Sequence, residues 1–253
     1  MPTPKKRRVQ PLQQGALDGF CGIYSLFNAV RIVEPRLSVG VCHSLFVSCL
    51  LALEERRDVA AINMLGLGIR DLMYLSRAIF RPAFGVVHAR PFVGAKPSSL
   101  GQLWSTFEEI LSDPSPAAII TAVEAENWAH WTVVEAIDAD TLWLADSDKL
   151  KNVLRKEASI VKVSDQRPVM IRWKDTLVIR RDPALAEEMG DTGEEMDNSE
   201  GWEAELEQHG YEKLTRMRRK HIDRFVTPEQ QSSTHTPAFV PHDYLSRDKG
   251  RRT

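Results

Sequence analysis

The sequence predicts an α+β fold in which N-terminal helices pack on an antiparallel sheet. Three observations carry this expectation. From residue 20 to about 112 the apolar side chains recur at three- and four-residue intervals, the period of a helix. From 117 to 179 they fall in short β-branched and aromatic runs split by turn formers. Beyond Arg181 neither pattern persists.

Phe20, Ile23, Tyr24, Phe27 and Val30 share a face and predict a first helix ending near Val33. Asp18 or Gly19 stands where a cap belongs, and Pro35 stops the run. A second helix, apolar enough to be largely buried, is expected from Val39 to Glu55. A third spans Ile69 to Phe80 and ends before Pro82. Phe84 to Ala89 is short and β-rich. Leu100, Leu103, Trp104, Phe107 and Leu111 place an amphipathic helix over Ser98 to Ser112, closed by Pro114 and Pro116. Ala117 to Val123 is a strand. His130 to Ile137 and Thr141 to Ala145 form a hairpin through Asp138-Ala139-Asp140. Val169 to Trp173 and Thr176 to Ile179 form a second, turning at Lys174-Asp175.

The body so defined runs from 12 to 182. Residues 1–11 are expected to be a disordered basic lead. Residues 183–253 are acidic, then basic, and mostly disordered, with Tyr211 to Phe225 as a short basic helix. Such stretches bury too little apolar surface to offset their ordering entropy. The chain has 253 residues, 43% apolar and 27% charged, with a net charge of -2. That composition suits a globular domain and argues against a nucleic-acid partner. Three cysteines make no disulfide framework and suit a reducing compartment. No apolar run has the length of a membrane span, and no signal core follows the basic start. The expected location is cytoplasmic, or nuclear if Lys5-Lys6-Arg7-Arg8 is an import signal.

Two segments carry chemistry. Cys21 opens the first helix, where the positive end of the helix dipole lowers a thiol's pKa. Gly22 follows and leaves room for a substrate backbone. Asp18 opposes thiolate formation if it lies close, and otherwise caps the helix. Gln13 and Gln14 stand just upstream, and a side-chain amide there, with the Cys21 backbone N–H, supplies an oxyanion hole. The second segment starts with His130, at the head of one hairpin strand, and ends with Asp146, past the end of the other. A short turn brings those two ends together. Asp146 then holds Nδ1 of the imidazole and leaves Nε2 for the thiol. Cys42 and Cys49 lie seven apart inside an apolar helix and read as buried structural thiols. His43 beside Cys42 has no second ligand pair at metal spacing, so neither metal nor cofactor is expected.

The glutamine, Asp18-x-x-Cys21-Gly22 at a helix start, His130-Trp131-x-Val133-Val134 and the hairpin ending Leu144-Ala145-Asp146 resemble the papain-like cysteine peptidases. The closest likeness is to the bacteriocin-processing peptidase domains of ABC exporters and their stand-alone relatives. The glutamine here sits one or two positions farther from the cysteine than is usual in that group. The resemblance covers about residues 12–182 and implies Cys21 as nucleophile, His130 as base, Asp146 as its orienter and Gln14, or else Gln13, as oxyanion donor. It also implies a papain-like fold and a protein or peptide substrate. Acyl transfer of the transglutaminase kind, or glutamine deamidation on a partner protein, uses the same residues and stays open. So does a non-catalytic binding role on that scaffold. Substrate recognition is expected from loops at 57–68, 90–98 and 124–128. Oligomeric state is unknown from sequence.

Overall fold

The computed structural model describes residues 10–15, 18–35, 37–182 and 184. The basic cluster at 5–8, the acidic stretch and the basic helix expected at 211–225 lie outside them. The fold is α+β. Helices α1 (Cys21–Val33), α2 (Val39–Glu54), α3 (Val59–Leu65) and α4 (Ile69–Leu75) come first. A π-turn over Ser76–Phe80 and a short helix α5 (Arg81–Phe84) lead into strand β1 (Val86–Ala89). After helix α6 (Leu100–Ser112) come β2 (Ala117–Ala125), β3 (Trp128–Ile137), β4 (Thr141–Leu144), β5 (Asn152–Leu154), β6 (Ala158–Ser159) and β7 (Val169–Arg181). The strands form one sheet in the order β1-β7-β2-β3-β4-β5, with β6 also pairing β7. All pairings are antiparallel except β6 with β7.

Strand alternation splits the core into two layers. Ala118, Ile120 and Ala122 of β2 and Trp131 and Val133 of β3 face the N-terminal helices. They meet Ile23, Leu26, Phe27 and Val30 of α1. The intervening Ile119, Val123 and Val134 face α6, against Leu103, Trp104 and Phe107. Each Val, Leu, Ile or Phe among them, removed from water, contributes about 1.5–3 kcal/mol. α1 therefore lies across the middle of the sheet, with its first residue, Cys21, at one end.

The structure corrects four expectations. The second hairpin does not exist: β7 is one strand, and residues 173–175 bulge out opposite Thr121/Ala122 of β2. β2 is long enough to pair both halves. The bulge is fixed by an Arg172–Asp175 ion pair of 2.8 Å and by Arg90 donating to the Lys174 carbonyl at 2.8 Å. Its three extra residues reverse the alternation, so Ile171 faces the α6 layer while Leu177 faces the other. The third helix does not stop at Pro82. The π-turn, closed by Arg81 N–H on the Ser76 carbonyl, places the proline in the first turn of α5, where its missing N–H costs nothing. The chain then leaves the helix at Gly85, at φ 60°. Part of the expected loop at 57–68 is helix α3, capped by Asp58, which accepts from the Ala60 and Ala61 N–H groups. Finally, neither Asp18 nor Gly19 caps α1. Phe20 holds that position, with no side-chain cap bond. Among the described residues no helix is long and apolar enough to cross a membrane.

Candidate active site

His130 and Asp146 meet. Nε2 of the imidazole lies 2.8 Å from Asp146 Oδ2, with the two side chains 10% and 1% exposed. The hairpin accounts for this through its bulge. Ile137 pairs with Leu142, but the register shifts between Val134 and Ala136, so that Val134 pairs with Leu144. The Ala145 N–H then donates to the Val133 carbonyl at 2.9 Å. Continued one residue on, that register sets Asp146 opposite Thr132 and diagonal to His130. Without the bulge Asp146 would fall opposite Val133 and point to the other face.

The Asp146 carboxylate is fully employed. Oδ1 accepts from the Asp148 and Leu150 N–H groups at 2.7 and 3.0 Å, while Oδ2 takes the imidazole. Burial alone would raise its pKa. The His130 hydrogen bond and charge, with help from the Leu150 amide, outweigh burial and hold it below the usual carboxylate range. For His130, burial alone would lower the pKa. The hydrogen bond and charge of Asp146, with a contribution from Cys21, overcome it and push the imidazole up to about 10. His130 thus holds the carboxylate directly and lies near enough to Cys21 for the sulfur to contribute to its raised pKa. The assignment of ring nitrogens is the reverse of the sequence expectation. Nε2 goes to Asp146, and Nδ1 is the nitrogen that remains for a thiol.

Cys21 is half-buried at the first turn of α1. Asp18 instead ties the preceding loop, its oxygens accepting from Gly15 N–H at 2.5 Å and Phe20 N–H at 3.2 Å. With no capping side chain on α1, the first N–H groups of the helix are left open at Cys21. Gly22 does not make room for a substrate, as its sequence position suggested. A Cβ there would stand 3.0 Å from Leu72 Cδ2 and 3.2 Å from Leu67, so this glycine faces the core. The close approach belongs to Gly19, where a Cβ would sit 2.1 Å from the Asn63 carbonyl oxygen. Gly19 N–H also donates to Asn63 Oδ1 at 2.7 Å.

The two glutamines are distinguished by their bonds. Gln13 is exposed and its amide nitrogen donates to the Asp146 carbonyl at 3.0 Å and the Pro11 carbonyl at 3.3 Å. Gln14 is half-buried. Its backbone N–H donates to the Ser147 carbonyl at 3.0 Å, and its Oε1 accepts from the Ser147 hydroxyl at 3.2 Å. That contact turns the Gln14 amide NH2 the other way, with no acceptor among the described residues.

Sequence reading missed the residues that lock these parts together. Ser25, one turn beyond Cys21, donates to the Trp131 carbonyl at 2.9 Å, tying α1 to the residue after His130. Asn28, a further turn on, clamps the Leu12 backbone, accepting from its N–H at 2.7 Å and donating to its carbonyl at 3.2 Å. Trp131 in turn donates its indole N–H to the Leu67 carbonyl at 2.8 Å. The signal was present: Cys21, Ser25 and Asn28 recur at i, i+4, i+7 as a polar stripe, and Ser25 and Asn28 are almost fully buried. Cys42 and Cys49 are buried, and burial raises both thiols, Cys42 to about 11. His43 is exposed. Among the described residues no group of three His, Cys, Asp or Glu side chains is placed to hold a metal ion.

The arrangement presents a sulfur at the first turn of a helix without a side-chain cap, an imidazole bound to a buried carboxylate, and a Gln14 amide fixed by Ser147. No protein-family model matches the sequence, and no curated protein or solved structure matches the chain. What the site does is therefore read from its own geometry.

Proposed function

We propose that this chain is a cysteine peptidase, or a closely related amide hydrolase, built on a papain-like scaffold and acting on a protein or peptide substrate. The observation that carries the reading is the buried His130–Asp146 pair, Nε2 to Oδ2 at 2.8 Å, with Cys21 near enough to help raise the imidazole's pKa. A histidine held positive beside a sulfur is the partner a thiolate requires. Asp146 keeps the ring oriented and charged. The Cys21 N–H and the Gln14 amide NH2 are the donors that remain for an oxyanion.

The steps follow from these roles. The Cys21 sulfur attacks the amide carbon, a C–S bond forms, and the carbonyl electrons move to oxygen. Collapse breaks the C–N bond as His130 passes its proton to the leaving amine. His130 then takes a proton from water, whose oxygen attacks the thioester. The C–S bond breaks, and the acid product leaves with thiolate and imidazolium restored. Labelling with a peptide electrophile tests the reading. At pH 7 the probe should mark Cys21 in wild type and in Cys42→Ala, and mark neither Cys21→Ala nor His130→Ala. Equal labelling of Cys21→Ala and wild type would refute it.

A further inference from the structure

A second polar site lies at the sheet edge, away from the triad. An open pocket of about 200 Å³ is lined by Ser76, Arg77, Arg81, Val86, Val87 and His88. One wall is β1, the terminal strand of the sheet. The other is the π-turn and the start of α5. Such turns within helices are frequent at functional positions, and here the π-turn and the first residue of α5 carry Arg77 and Arg81, four residues apart. Both arginines are exposed on the side that meets His88. Among the described residues Arg77 has no acidic partner, and Arg81 reaches a carboxylate only at Asp182, 3.8 Å away. The His88 Nδ1 is held by Ser76 Oγ at 3.0 Å, which leaves Nε2 unengaged. Burial and the two guanidinium charges depress the His88 pKa, so this imidazole is neutral at pH 7.

We propose that this pocket binds a doubly charged oxyanion of the phosphate-monoester class. Two guanidinium forks match phosphate oxygens in number and geometry. One carboxylate at 3.8 Å leaves the arginine pair undercompensated, and a single further carboxylate offers only two oxygens to two guanidinium forks and an imidazole nitrogen. A phosphate monoester brings close to two charges near pH 7 and three acceptor oxygens. It therefore satisfies both arginines and the free imidazole nitrogen together. This site shares no residue with Cys21, His130, Asp146 or Gln14 and stands independently of the peptidase reading.

The test uses the full chain at fixed ionic strength, titrated with phenyl phosphate and, in parallel, with acetate and benzoate. Heat of binding and the His88 imidazole signals in nitrogen-detected NMR are followed together. Phenyl phosphate should bind about tenfold or more tightly than either carboxylate and shift the His88 signals toward the protonated form. Arg77→Gln and Arg81→Gln should each weaken it by about tenfold, with Cys21 labelling unchanged. Equal affinity for phosphate and carboxylates, or undiminished binding by Arg77→Gln, overturns the proposal. A His88 signal already shifted, indifferent to phenyl phosphate but reset by salt, also overturns it and assigns the pocket to the acidic 187–207 stretch of the chain itself.

Discussion

Replacing Asp146 with Asn removes the charge that holds His130 protonated while keeping shape and an acceptor oxygen. The rise of the His130 pKa from 6.5 to about 10 corresponds to about 5 kcal/mol at about 1.4 kcal/mol per pKa unit. Part of that rise comes from Cys21, and asparagine keeps a hydrogen bond, so the expected loss is about 3 kcal/mol, the low end for breaking a buried pair. For a domain of this size that lowers Tm by roughly 6–12 °C. The pH dependence is the sharper check. His130 has its pKa raised on folding, so its contribution is complete below 6.5 and fades as pH climbs through about 10. Urea unfolding of wild type and Asp146→Asn, followed by tryptophan fluorescence, should show the full deficit at pH 6.5 and most of it gone at pH 10.5. Other groups titrating at high pH are common to both proteins and cancel in the difference. A deficit of equal size at both pH values, or one under about 1 kcal/mol at pH 6.5, would show that the pair is not ionic and refute the reasoning.

The same charge should appear in catalysis: the basic limb of kcat/KM should lie near pH 10, where His130 loses its proton, and move down in Asp146→Asn. Gln14→Ala should lower kcat by about 10²-fold or more with Cys21 still alkylated by iodoacetamide, whereas Gln13→Ala should leave kcat within severalfold. Gly19→Ala places a methyl 2.1 Å from the Asn63 carbonyl oxygen, a backbone atom, and should cost about 1–3 kcal/mol by thermal unfolding. Ser25→Ala leaves the buried Trp131 carbonyl without its donor and should cost a similar amount. An unchanged Tm in Ser25→Ala would remove that bond from the account of how α1 is fixed to β3.

The elements that sequence could place are those whose pattern is local. α1 and α6 differ from expectation by one or two residues, since Phe27 or Trp104 is apolar at the right phase whatever lies across from it. That His130 and Asp146 lie close was legible for the same reason, since a hairpin brings its own ends together, but their direct bond through Nε2 required the bulge in β3. What escaped were features that depend on a partner strand. Nothing in Trp173-Lys174-Asp175 distinguishes a turn from a bulge until β2 is seen pairing on both sides. Pro82 reads as a stop until the π-turn before it is known.

Chain order alone set the inventory: a thiol at a helix start, an imidazole and a carboxylate on one hairpin, and glutamines upstream, because each is defined by residues near it in sequence. The tertiary structure decided which groups point where. It gave Nε2 to Asp146, engaged the Gln13 amide nitrogen and left that of Gln14 open, and turned Gly22 into the core. Those choices depend on a one-residue bulge and on packing between segments far apart in the chain, where side-chain direction is set by register and packing and not by residue type.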